Sequence, residues 1–120
     1  MSVKTIMVIG AGQMGSGIAQ VCAQAGYDVF LNDLKPEFVE RGLSGIKKNL
    51  GRQVDKGRMT AEQLDVIVGR ITSSSDLQDA KNADLIIEAA VENMDIKVKI
   101  FAQLDEIAPE HAILASNTAS

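Results

Sequence analysis

Residues 10–15 read Gly-Ala-Gly-Gln-Met-Gly, and no other stretch of the 120-residue chain narrows its fold so far. The spacing G-x-G-x-x-G is weak evidence by itself, and its surroundings give it meaning. It follows Val3 to Ile9, a nearly continuous apolar run of the kind buried on both faces of a parallel sheet. A helical pattern runs from Gly17 to Ala25, with Ile18, Val21 and Cys22 on one side and Gly26 as its stop. A second strand, Val29 to Leu31, ends in Asn32-Asp33, so an acid closes it 18 residues after Gly15. Strand, glycine turn, helix, then a strand ending in an acid is the order a dinucleotide-binding unit requires. Gly10 permits a tight turn, Gly12 lets backbone approach a pyrophosphate, and Gly15 lets the helix pack against the sheet. The helix N-terminus aims unpaired N–H groups and its positive dipole end at the phosphates. Asp33 can accept hydrogen bonds from ribose hydroxyls, and its charge repels a 2′-phosphate, which favours NAD over NADP. The competing reading is a glycine-rich turn that holds no ligand.

The rest of the chain continues the alternation. Ile71-Thr72, Leu85 to Ile87 and Ile113 to Ala115 read as further strands. Asp95 to Ile107 reads as a helix with Ile96, Ile100, Leu104 and Ile107 on one stripe. The class is α/β, a Rossmann-type doubly wound parallel sheet. One connection is oversized, with 37 residues between Asp33 and Ile71. Pro36 suits a helix start, a helical pattern follows from Glu37 to about Asp55, and Gly57 breaks it. Thr60-Ala-Glu-Gln63 has capping-box spacing for a second helix reaching Val68. The expectation is a helix pair at about 36–69, inserted between strands 2 and 3. Gly10, Asp33, Ser73, Glu88 and Ser116-Asn117 fall at carboxyl ends of strands, the edge where open parallel sheets bind ligands. Ser73 to Ser75 read as merely solvated.

Composition excludes several partners. A net charge of −4 argues against nucleic acid and anionic membrane surfaces. No apolar run approaches the roughly 20 residues that span a bilayer. Met1-Ser-Val-Lys-Thr leads straight into a strand, so no signal peptide is expected and the default location is cytoplasmic. The single cysteine, Cys22, reads as a small packing residue. With aromatics at 3%, the core must be aliphatic.

Three motifs in order, Val8-Ile-Gly-Ala-Gly-Gln-Met-Gly15, Glu88-Ala-Ala-Val-Glu-Asn93 and Ser116-Asn-Thr118, resemble the 3-hydroxyacyl-CoA dehydrogenase family, nearest its bacterial 3-hydroxybutyryl-CoA members. The resemblance covers the whole chain, helix pair included. It implies that residues 1–120 are part of an N-terminal NAD-binding domain, with a C-terminal helical domain, absent from this chain, forming a homodimer. It implies oxidation of the 3-hydroxyl of an (S)-3-hydroxyacyl-CoA, such as 3-hydroxybutyryl-CoA, or reduction of acetoacetyl-CoA in reverse. Carried over by motif, Gly10, Gly12, Gln13, Met14, Gly15, Asp33, Ala90, Val91, Glu92, Lys97 and Asn117 fall to the cofactor. Asn117, Asn49, Arg52 and Lys56 fall to the acyl-CoA, and no metal is implied. A carboxylate such as Glu92 binds vicinal hydroxyls well, and Lys97 donates without competing. Both could otherwise be ordinary helix-surface residues, and Glu88 reads as structural.

Lys48, Arg52 and Lys56 recur at i, i+4 and i+8, with Lys47 and Arg58 nearby. Such a stripe suits the 3′-phospho-ADP of coenzyme A, which the family seats against this helix pair. It could equally be a solvated face, since Glu40 and Asp55 are close. The family's catalytic histidine and its orienting glutamate come after the Ser-Asn-Thr motif, so no catalytic residue is expected in this chain. His111 precedes that motif and reads as a surface loop residue. Ala119 stands where the family has a serine that hydrogen-bonds the substrate 3-oxygen, and an alanine cannot donate there. Two other readings remain open at this point: the dinucleotide half of another 3-hydroxy-acid dehydrogenase, and a non-catalytic NAD-binding module.

Overall fold

The computed structural model describes residues 3–89, 94–109 and 112–116. Five strands, β1 (Thr5–Ile9), β2 (Asp28–Asn32), β3 (Ile71–Ser74), β4 (Leu85–Glu88) and β5 (Ile113–Ser116), form one sheet in the order β3-β2-β1-β4-β5. Every pairing is parallel, with Ile9 opposite both Asn32 and Glu88. The chain winds outward from β1 in one direction and then returns to β1's other side for β4. That reversal opens a crevice beyond the carboxyl ends of β1 and β4.

Both faces of the sheet are covered, which explains why β1 reads as unbroken apolar sequence. Ile6 and Val8 join Val29, Leu31, Val39, Ile46 and Leu50 on one side. Met7 and Ile9 join Ile86, Ile100 and Leu104 on the other. Period-2 alternation thus distributes one strand between two cores. Met7, Val8 and Leu31 are fully buried, each contributing about 1.5–3 kcal/mol through lost water contact.

Helix α1 (Gln13–Gln24) begins four residues before the expected start at Gly17. Its buried face is Gly15, Ser16, Ala19 and Ala23, all small, so that α1 lies close to the sheet. Of the stripe expected to pack, Ile18 and Cys22 lie against the core, but Val21 is 64% exposed. Cys22 is half-buried against the core, and burial pushes its thiol pKa up, disfavouring the reactive thiolate. Gly26, at φ 103, takes the left-handed conformation that ends α1. Arg70 donates to the Ala23 carbonyl at 2.7 Å, satisfying one of the helix's last acceptors.

The long connection is a helix pair, α2 (Pro36–Asp55) and α3 (Ala61–Gly69). Pro36 occupies the first turn of α2, where its missing N–H costs nothing. Thr60 and Gln63 form the reciprocal capping box that starts α3. Val39, Ile46 and Leu50 bury one stripe of α2 in the sheet's own core, leaving its opposite face to solvent.

Two further expectations are corrected. The first strand begins at Thr5 rather than Val3. Strand β3 extends through Ser74, which is buried at 4% exposure rather than solvated, because Asn32 pairs with it across the sheet. A 3-10 helix at Leu77–Asn82, capped by the Asp76 carboxylate accepting from the Gln78 N–H, went unread in the sequence. Helix α4 (Met94–Ile107) then packs Ile100 and Leu104 beneath the second face. Among the described residues no helix is long and apolar enough to cross a membrane.

Candidate functional site

The glycine turn is held from inside the protein. Gly10 takes φ 104, a conformation open in practice to glycine, and its N–H donates to the Asn32 carbonyl at 2.7 Å. A Cβ on Gly15 would run into the Gly10 carbonyl oxygen, so α1 can approach the strand end only without one. The Ser16 hydroxyl donates to the Ala11 carbonyl at 3.0 Å, bracing the turn from the helix side. Asp33 completes the arrangement: its Oδ2 accepts from the Ala11 N–H at 3.0 Å, and its Oδ1 accepts from the Lys35 N–H at 3.3 Å. The acid therefore anchors the turn while each oxygen keeps a further lone pair for a ligand.

Gly12 is different. Its backbone, at φ −70 and ψ −170, is available to any residue, it is exposed, and a Cβ there would meet nothing within 4 Å. Neither conformation nor packing requires glycine at position 12. The space a side chain would fill belongs to a cleft of about 580 Å³, lined by Ala11, Gly12, Gln13 and Asp33 on one side and by Phe38, Arg41, Ile46 and Asn49 of α2 on the other. The N-terminus of α1 borders this cleft at Gly12 and Gln13, and Gly12 carries no side chain that would cap the helix there. A ligand phosphate fits that helix N-terminus, and a ribose fits the adjoining carboxylate.

Three contributors escaped sequence reading. Gly42, inside α2, lets that helix press on the turn: a Cβ there would lie 2.5 Å from Ser16 Oγ and 3.0 Å from the Ala11 carbonyl. Three glycines, Gly42, Gly45 and Gly51, interrupt the helical pattern of α2, and nothing in the sequence singles out the first. Phe38 carries cations over its ring, Lys35 Nζ at 5.3 Å and Arg41 at 5.7 Å from the centroid, at the cleft's outer wall. Behind Asp33, Asn32 and Ser74 form a buried polar pair that their letters alone did not announce.

The other expected site residues are distributed unevenly. Gln13 lines the cleft, and Met14 is exposed on the first turn of α1. Asn49, expected with the acyl-CoA, faces the same cleft as the glycine turn. Lys48 and Arg52 of α2 and Lys56 at its C-cap are exposed and lie outside that lining. Glu88 is fully buried at the end of β4, opposite Ile9, as a structural residue would be. Ala90, Val91, Glu92, His111, Asn117 and Ala119 lie outside the described residues. So does the side chain of Lys97, whose backbone belongs to α4.

Comparison with known proteins places the chain in a family. Residues 5–120 match the family described as 3-hydroxyacyl-CoA dehydrogenase, NAD binding domain. The chain belongs to that family. It is 50% identical over all 120 residues to a Bacillus subtilis protein named probable 3-hydroxybutyryl-CoA dehydrogenase, covering 42% of that protein. Among solved structures it resembles the 3-hydroxybutyryl-CoA dehydrogenase of Escherichia coli K12, with TM-score 0.96, 40% identity, and coverage of 100% of this chain and 25% of that one. It also resembles (S)-3-hydroxybutyryl-CoA dehydrogenase of Ralstonia eutropha, with TM-score 0.95, 41% identity, and coverage of 99% and 42%. The chain thus spans under half the length of these 3-hydroxyacyl-CoA dehydrogenase relatives.

Proposed function

We propose that the whole protein is an NAD-dependent 3-hydroxyacyl-CoA dehydrogenase. It interconverts a short (S)-3-hydroxyacyl-CoA, such as 3-hydroxybutyryl-CoA, with its 3-keto form. One observation carries the cofactor half of this reading: Gly12 is unconstrained by the protein and opens onto the cleft that Asp33 borders. Bound NAD supplies the hydride acceptor, and this chain's residues bind and orient it. The first turn of α1 receives the pyrophosphate, Gly12 and Gly17 leave room for it, and Asp33 holds the adenosine ribose through its hydroxyls. The carboxylate's charge sets the preference for NAD over NADP.

The acyl-CoA half rests on likeness to relatives named 3-hydroxybutyryl-CoA dehydrogenase, and on the exposed Lys48, Arg52 and Lys56. Those cations suit the coenzyme's phosphates. Glu92, Lys97 and Asn117 are proposed to meet the nicotinamide end, with Ala119 beside the substrate oxygen. The proton of the 3-hydroxyl is proposed to leave to a base supplied by the rest of the protein. We further propose a cytoplasmic homodimer. Mixing the whole protein with acetoacetyl-CoA and NADH should consume NADH, with NADPH a far poorer donor. NADH binding without acetoacetyl-CoA-dependent oxidation would instead favour a non-catalytic module, and a preference for NADPH would remove Asp33 from its role.

A further inference from the structure

Directly behind Asp33 lies a buried polar chain that neither the motif nor the proposed reaction accounts for. Asn32 and Ser74 are cross-strand partners at the carboxyl ends of β2 and β3, exposed by only 2% and 4%. Asn32 Nδ2 donates to Ser74 Oγ at 2.9 Å, and the Ser74 hydroxyl donates to Asp79 Oδ2 at 2.6 Å, with the Asp76 carbonyl at 3.2 Å as a second acceptor. The backbones of the same two residues hold the site. The Asn32 carbonyl accepts from the Gly10 N–H at 2.7 Å, and the Ser74 carbonyl accepts from the Asp33 N–H at 3.1 Å. One side-chain bond therefore ties together the two carbonyls that position the start of the glycine turn and the ribose-facing acid.

An apolar pair would fill these positions at less cost, since buried polar groups must find partners or lose stability. Sheet pairing alone would also leave the strand ends free to fray, because β3 ends at Ser74 itself. The Asp79 carboxylate, on the 3-10 helix, extends the clamp to a separate element and fixes the direction of the serine hydroxyl.

From this geometry we infer that Asn32, Ser74 and Asp79 are positioning residues for the dinucleotide. They hold Asp33 where it meets the 2′-hydroxyl and excludes a 2′-phosphate. The inference rests on the proposed NAD site and deepens it: these residues set selectivity between NAD and NADP without touching either. They do not act on the acyl-CoA.

The test is Ser74→Ala in the whole protein, measured beside wild type for NADH, NADPH and ADP-ribose affinity, acyl-CoA KM, kcat and melting temperature. NADH and ADP-ribose should each bind roughly tenfold more weakly, the loss expected when support behind a binding group is removed. The NADH-to-NADPH preference should narrow, while kcat and the acyl-CoA KM stay as they were. A lower melting temperature with unchanged NADH affinity and unchanged preference would overturn the inference. If Ser74→Ala does not fold, Asp79→Asn keeps the shape and weakens the acceptor. It should show the same pattern at about threefold, and wild-type NADH affinity and preference in that variant would be equally fatal. Failure of wild type to bind NADH would instead refute the proposed function.

Discussion

Gly12 and Gly15 sit three residues apart in one motif, yet the molecule uses them for opposite reasons. Gly15 faces inward, where a methyl group would strike the Gly10 carbonyl, and so the fold itself requires it. Gly12 faces outward into open space, in a backbone conformation any residue could adopt, and what would require it there is the proposed dinucleotide. The same contrast separates the two ends of α2. Near the turn, Gly42 and Ile46 are buried against Ser16 and the sheet, whereas Arg52 and Lys56 project from the far end into solvent. Residues bound by packing and residues left free by packing lie side by side.

The comparison breaks most visibly at Gly15. Gly15→Ala should destabilise the protein by about 3 kcal/mol, because neither the turn nor α1 can move without disturbing β1. Denaturant unfolding would read this directly, and a variant as stable as wild type would mean α1 does not lie as close as described. Asp33→Ala comes next, with NADH affinity expected to fall roughly a hundredfold as the proposed ribose contacts and the anchor to the Ala11 N–H disappear. Calorimetric titration that returns an unchanged affinity would remove the acid from the site. Reversing charge on the outer helix should do least: Arg52→Glu with Lys56→Glu is expected to raise the acyl-CoA KM about fivefold at low salt and less at high salt. NADH binding should not change. A KM indifferent to the reversal would leave the stripe as an ordinary solvated face.

Much of this was legible in the sequence, for reasons that also explain the gaps. Strand β1 could be read because burial on both faces leaves an unbroken apolar run, and the Thr60–Gln63 box could be read because capping is local chemistry. The start of α1 could not, since its packed face is made of Gly15, Ser16, Ala19 and Ala23, and small residues carry no apolar period. The burial of Ser74 was hidden because it depends on Asn32, 42 residues earlier, and on the parallel register that brings them together. Gly42 and Arg41 were missed for a related cause: in the sequence α2 is a helical pattern with a basic stripe, and only the fold shows which part of it faces the turn. Asn49, assigned to the acyl-CoA by family resemblance, lines the glycine-turn cleft, a placement that only the fold shows.

The central claim is that position 12 is kept as glycine by a dinucleotide and by nothing in the protein. Gly12→Ser tests it cleanly, because serine is a good N-cap and would stand in open space at the start of α1. Titrating this variant with NADH, alongside a thermal melt, should show stability within about 0.5 kcal/mol of wild type and affinity reduced at least roughly tenfold. Full affinity in a variant of unchanged stability would contradict the account.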